Sequence, residues 1–211
     1  MKLLVMGATS GIGARVRETA LERGHDVRAF ARSAESLAPV QKLEPFSGDA
    51  LNPDDVARAL EGCDAVIYAL GIKESVAMLW QEVTLFSDST RILIEAMENT
   101  GPRRLIAITG FGAGRSRQAM SFIERTGHKA ILGKPYADKD RQEEMIMASH
   151  LDWTIARPVI LTNNKATGTY RVLSDPATWR NGMISRANVA HYAVRAAEEG
   201  LNIREDVVLA R

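Results

Sequence analysis

The chain opens on a short apolar run, Leu3-Leu4-Val5-Met6, that passes without interruption into Gly7-Ala8-Thr9-Ser10-Gly11-Ile12-Gly13. A helical pattern follows at once: Val16, Ala20 and Leu21 share one face, and Gly24 ends it. No other feature restricts the fold as strongly. A strand that turns into a helix over so few residues needs glycines, because a Cβ would block both the tight turn and the close approach of an anion. The first N–H groups of the helix lack intrahelical partners and point at the turn, where they suit a phosphate. The pattern predicts that Gly7, Thr9, Ser10, Gly11, Ile12 and Gly13 hold the pyrophosphate of a dinucleotide. The competing reading is a glycine-rich turn with no ligand.

The rest of the chain alternates in the same way, with apolar runs followed by helical patterns. Strands are expected at Val27–Ala31, Lys42–Phe46, Ala65–Leu70, Leu105–Thr109, Trp153–Ala156 and Val207–Ala210, with a short one in Thr167–Val172. Helices are expected after Asn52, which suits a cap with Pro53 in the first turn, and over Val83–Asn99, Asp138–Ser149 and Asn188–Glu199. The Ala65–Leu70 run is apolar throughout, as in a strand covered on both faces. Residues 110–136 carry Gly110, Gly112, Gly114, Gly127, Gly133 and Pro135 and read as a long loop over the site. The expected fold is α/β: a doubly wound, mostly parallel sheet with helices on both faces. With 211 residues and no linker, residues 1–211 read as one domain with a small substrate-side region near the C-terminus.

Composition narrows the partners. Lys+Arg is 27 and Asp+Glu 26, so the net charge of +1 gives no argument for nucleic acid or an anionic membrane. The apolar N-terminal run is too short for a signal peptide or a membrane span, which leads to the expectation of a cytoplasmic protein without membrane partner. Cys63 is the sole cysteine, read as a small buried hydrophobe, and it excludes an intrachain disulfide. His25, His128, His150 and His191 have no mutual metal-ligand spacing, so no metal is expected. The expected partner is a small-molecule acceptor, and the expected state a monomer or homodimer.

The second strand selects the cofactor. Binding of NAD commonly uses an acid at its end to hold the ribose 2′-hydroxyl. Here the strand runs into Arg32-Ser33. A guanidinium with a neighbouring hydroxyl suits a 2′-phosphate, which predicts NADP(H) over NAD(H). A solvated surface charge is the alternative for Arg32.

Six segments in order resemble one family. Gly7–Gly13 is similar to its GATGxxG turn, with Ser10 in place of the usual glycine. Phe30-Ala31-Arg32 resembles its strand-end arginine. Gly48-Asp49-Ala50 resembles a segment that lies against the adenine, and Ala69-Leu70-Gly71 one that backs the adenine ribose and pyrophosphate. Ser149–Pro158 resembles an SGLDYTIVRP block, and Ile184–Ala190 an IsRaDVA block in which Asn188 replaces the acid. These are marks of the atypical short-chain dehydrogenases/reductases, the NAD(P)H-binding proteins that include biliverdin reductase B-like (flavin reductase-like) and NmrA-like members. The resemblance implies a Rossmann-type fold, with Asp49, Ala50, Ala69, Leu70 and Gly71 at the cofactor. Pro158 and Val159, beyond a strand's carboxyl end, are expected near the nicotinamide.

Typical members of the superfamily use Ser, Tyr and Lys, the last two as Y-x-x-x-K. Counting back from Ser149 puts the lysine at Lys139, but the tyrosine position is then Pro135. Tyr136 is one residue later, ~100° round a helix, so it is not expected to point as the family tyrosine does unless a loop delivers it. The serine position aligns with Gly110, and Thr109 carries the nearby hydroxyl. Thr109, Tyr136 and Lys139 are thus the catalytic candidates of an incomplete triad, with Thr109 and Lys139 also at the cofactor. An alternative for Lys139 is a surface lysine in the charged stretch 138–144. Phe111, Trp179 and Met183 are candidates to line the acceptor, and Arg115, Arg117 or Lys129 to meet its acidic groups. The expected activity is hydride transfer from NADPH to a small conjugated acceptor of flavin, quinone or tetrapyrrole type, for which the proton can come from water. The rival is a non-catalytic NADP(H)-sensing regulator of the NmrA-like kind. An isomerase or epimerase is disfavoured by the absent Y-x-x-x-K.

Overall fold

The computed structural model describes residues 1–71, 84–120 and 122–211, and the side chains of all of these except 122–134. Trp80, the start of the helix expected at Val83, and the side chains of His128 and Lys129 lie outside the described residues.

Eight strands form one sheet in the order β3-β2-β1-β4-β5-β6-β10-β8. They are β1 (Lys2–Met6), β2 (Asp26–Ala31), β3 (Leu43–Ser47), β4 (Ala65–Tyr68), β5 (Arg104–Ile108), β6 (Asp152–Pro158), β8 (Arg171–Leu173) and β10 (Glu205–Ala210). All neighbours pair in parallel except β8, which runs antiparallel to β10 at the edge. Parallel strands need both faces covered, and the sequence supplies this: Leu3, Leu4 and Val5 of β1 and the whole of β4 are buried. Each such aliphatic side chain contributes ~1.5–3 kcal/mol on burial.

Helices α1 (Gly11–Glu22) and α5 (Arg186–Glu199) pack against each other, and α3 (Leu85–Thr100) packs between α2 (Pro53–Leu60) and α4 (Phe122–Ala148). The buried side chains form two clusters: Leu3 and Val5 join α1 and α5 in one, and Leu4 and Met6 join α2 and α3 in the other. Asn52 caps α2 as expected, its side chain accepting from the N–H groups of Asp54 and Asp55. The chain reverses direction across the sheet between β1 and β4. Ligands of such sheets lie beyond the carboxyl ends of the strands at that reversal. The expected α/β, doubly wound, mostly parallel architecture is therefore present.

One expectation is corrected, and one element is added. Residues 110–136 are not one loop: a 3₁₀ turn spans Gly114–Ala119, and α4 then runs from Phe122 through Pro135 to Ala148. Proline removes one helical N–H, but the helix is anchored downstream by buried side chains at Asp138, Gln142 and Glu143, and tertiary anchoring outweighs local propensity. A separate two-stranded parallel sheet, β7 (Ile160–Thr162) with β9 (Met183–Ser185), escaped the reading because three-residue strands carry no periodicity. Among the described residues no helix is long and apolar enough to cross a membrane.

Candidate functional site

The glycine turn divides its labour. Gly7 has φ +81°, and a β-carbon there would lie 2.6 Å from the carbonyl oxygen of Ala69. A β-carbon on Gly13 would lie 2.2 Å from the carbonyl oxygen of Gly7. These two glycines let β1, α1 and the end of β4 close on one another. Gly11 differs: it has φ +57° and open space where a β-carbon would project. The open side of the turn is thus at Gly11, on the first turn of α1, where the N–H groups lack intrahelical partners. No acidic side chain stands in that first turn to compete with an anion. Ser10 occupies the cap position in extended conformation without using its side chain to cap the helix. Thr9 and Ile12 flank it, Ile12 packing partly into the core. The cradle fits a pyrophosphate.

The strand ends around the turn carry the remaining cofactor candidates. Arg32 and Ser33 are exposed just past β2. Arg32 makes no ion pair with a described residue. Asp49 is exposed, its Oδ1 accepting from Leu51 N–H at 3.0 Å, and Ala50 beside it is buried. Ala69 and Leu70 are half-buried and Gly71 is exposed beyond β4. Pro158 and Val159 are buried at the end of β6, where the Pro158 carbonyl accepts from Phe111 N–H and Val159 N–H donates to Leu209.

The second half of the site joins β5 to α4. Lys139 Nζ donates to the carbonyl oxygen of Thr109 at 2.5 Å. Its ammonium lies 5.0 Å from the centre of the Phe86 ring and 5.7 Å from that of Tyr136. Burial lowers the Lys139 pKa to about 8, against the opposing pull of the Glu143 and Asp138 carboxylates. The Tyr136 hydroxyl lies 2.7 Å from where a β-carbon on Gly110 would stand. The sequence spacing argued that Tyr136 would point elsewhere. The helix itself delivers it, because α4 continues through Pro135 and brings Tyr136 and Lys139 to consecutive residues past β5.

The hydroxyl of Thr109 plays a different part from the one expected. It donates to Glu143 Oε1 at 2.6 Å, so its proton is committed away from any acceptor. Glu143 also receives Arg157 Nε at 3.0 Å and Nη2 at 2.7 Å, and Arg157 Nη1 reaches Asp206 at 2.5 Å. Arg157 and Glu143 are fully buried. The acceptor candidates also move. Phe111 is only 6% exposed and packs in the core. Trp179 is as deeply buried, under the Arg157 and Arg115 guanidiniums at 5.0 and 5.6 Å. Arg115 pairs with Asp206 and Arg117 with Asp140. Met183, on β9, is 61% exposed. Of the aromatic and apolar candidates, then, Met183 alone presents a surface.

The residues missed from sequence were Asp138, Glu143 and Asp206. Asp138 is buried and accepts from the N–H groups of Phe86 and Ser87, capping α3. The available signal was spacing: Tyr136, Lys139 and Glu143 stand at i, i+3 and i+7, one helical stripe. No cluster able to hold a metal is present among the described residues.

A family model described as NAD(P)H-binding matches residues 7–200, from the first glycine of the turn to the end of α5. The chain belongs to the NAD(P)H-binding family. The family resemblance seen in the six segments, and the expectation of an NAD(P)H-dependent enzyme, are borne out. An uncharacterized sugar epimerase of Bacillus subtilis, YhfK, is 28% identical over 94% of this chain and 89% of its own. ChuY, an anaerobillin reductase from Escherichia coli O157:H7, superimposes with TM-score 0.82 at 26% identity, covering 100% of this chain and 97% of that one. A short-chain dehydrogenase/reductase from Veillonella parvula, in complex with NADP, shares the fold at TM-score 0.83 and 17% identity, covering 100% and 94%.

Proposed function

We propose that this family member is an NADPH-dependent reductase of a small conjugated acceptor of flavin, quinone or tetrapyrrole type. The observation that carries the reading is the meeting of Lys139 with Thr109 and of Tyr136 with Gly110 at the carboxyl end of β5. When bound, NADPH supplies a hydride. Gly11 and the first turn of α1 hold the pyrophosphate, Arg32 and Ser33 the 2′-phosphate, and Asp49, Ala50, Ala69, Leu70 and Gly71 flank the adenine side. Pro158 and Val159 back the nicotinamide. Tyr136 holds the proton at its phenolic oxygen, and the nearby Lys139 ammonium favours its release. ChuY, an anaerobillin reductase similar to this chain over its whole length, supports a tetrapyrrole-like acceptor. The NADP complex of the Veillonella protein is consistent with the preference read from Arg32.

The test is NADPH oxidation with FMN, a quinone and biliverdin, run beside direct binding of NADPH, NADH and NADP⁺. Turnover on one acceptor is expected. Tight NADPH binding without turnover on any acceptor would defeat the reductase, since neither a cofactor-sensing regulator nor an epimerase leaves net cofactor oxidation.

A further inference from the structure

The polar groups of Thr109 are all engaged. Its N–H donates to the Ala156 carbonyl at 3.0 Å, its carbonyl accepts from Lys139 Nζ at 2.5 Å, and its hydroxyl donates to Glu143 at 2.6 Å. One residue of β5's exit is thus gripped from β6 and twice from α4. The two α4 groups are one helical turn apart, on the same stripe as Tyr136.

We infer that Glu143 is a positioning residue for the Tyr136–Lys139 pair, clamping Thr109 against the Lys139 ammonium and supplying the negative charge that ammonium faces. Its catalytic consequence rests on the reductase reading above.

The surrounding charges favour Glu143 for this role. On α4, the Asp138 carboxylate is spent on the N-terminus of α3 and on Arg141. From α3, Lys139 meets the Phe86 ring. From β5's exit it meets the Thr109 carbonyl. Behind Glu143 on β6 stands Arg157, which it does not share alone: Asp206 of β10 takes the other side of that guanidinium. Asp206 in turn pairs with Arg115, and Arg117 with Asp140. Glu143 stands one helical turn beyond Lys139 on the same stripe of α4, so its carboxylate is within electrostatic reach of the ammonium. That charge opposes the lowering of the Lys139 pKa by burial, which otherwise discharges the ammonium close to neutrality.

Both functions are readable without substrate. In the full chain labelled with ε-¹³C lysine, the Lys139 resonance is assigned by its loss in Lys139→Arg. Its titration midpoint is expected to fall by at least about one unit in Glu143→Gln, a tenfold loss of ammonium stability. An unchanged midpoint in a variant that melts cooperatively overturns the electrostatic role. Removing one partner of a buried pair also threatens folding, so a second variant reads the clamp with all charges kept. Thr109→Val is expected to acetylate at Lys139 about tenfold faster with acetic anhydride at neutral pH, because the loosened amine exchanges more freely with solvent. Thr109→Ser is expected to restore the slow rate. Equal rates in the three proteins overturn the clamp. If the reductase reading holds, the alkaline limb of the pH–activity profile moves down with Lys139 in Glu143→Gln, which a merely structural role would not produce. A wild-type protein without turnover defeats that reading and leaves both substrate-free measurements in force.

Discussion

The hydroxyl of Tyr136 occupies the space a side chain on Gly110 would need, 2.7 Å from the position of the missing β-carbon. A residue that aligns with a serine in the superfamily pattern is here a glycine, and the tyrosine oxygen fills its place. Tyr136→Phe removes this oxygen and little else. It is expected to lower kcat about a hundredfold, the size of one general acid, with NADPH affinity kept. Gly110→Ala displaces the hydroxyl without deleting it and is expected to produce a comparable loss. Steady-state kinetics on the best acceptor, beside NADPH binding, checks both. A fully active Gly110→Ala protein contradicts the geometry.

Gly11 and Gly13 are expected to fail in different ways. A β-carbon on Gly13 meets the Gly7 carbonyl at 2.2 Å, backbone against backbone, so Gly13→Ala is expected to cost at least ~3 kcal/mol of stability. Gly11→Ala meets nothing and is expected to cost only about 1–2 kcal/mol for its left-handed backbone. Its methyl group enters the open cradle, so NADPH affinity should fall more than stability does. Thermal melts with and without cofactor separate the two.

Arg32 tests the cofactor preference. If Arg32 meets a 2′-phosphate as proposed, Arg32→Ala is expected to lose charge-assisted contacts worth ~1.5–3 kcal/mol, about a 10- to 150-fold loss of NADPH affinity. NADH, which lacks that phosphate, is expected to bind as before. Equal losses for both cofactors refute the assignment.

Acid stability has an identifiable source at the far end of α5. The Arg23 guanidinium, with His25 beside it, holds the Glu198 pKa down at about 2. A carboxylate depressed on folding stabilises above its unfolded value, near 4.3, and the gain is lost as pH falls through about 2. Glu198→Gln is expected to lower stability by about 1 kcal/mol near neutrality, after solvent screening, and to flatten its decline from pH 4.5 to 2. Urea melts across that range read the difference.

Most of the sheet was legible because the signal is local. An all-apolar run such as Ala65–Tyr68 is compatible with burial on both faces, and Asn52-Pro53 carries its own cap. The α4 boundary was not legible, since Pro135 reads as a break and only the anchors beyond it decide otherwise. Nor was the stretch Asp138–Glu144, which looks like a solvated face. Asp138, Gln142 and Glu143 are buried there, while Arg141 and Glu144 are exposed.

By itself, then, the sequence determined the Gly7–Gly13 turn and the alternating sheet, because backbone sterics and hydrophobic period act within a few residues. It also carried Arg32, whose position at a strand end follows from that alternation. The tertiary structure alone decided what Tyr136, Lys139 and Glu143 do. Their partners Gly110, Thr109, Arg157 and Asp206 come from the exit of β5, from β6 and from β10, and a helix cannot encode in its own spacing which carboxylate will meet a buried guanidinium.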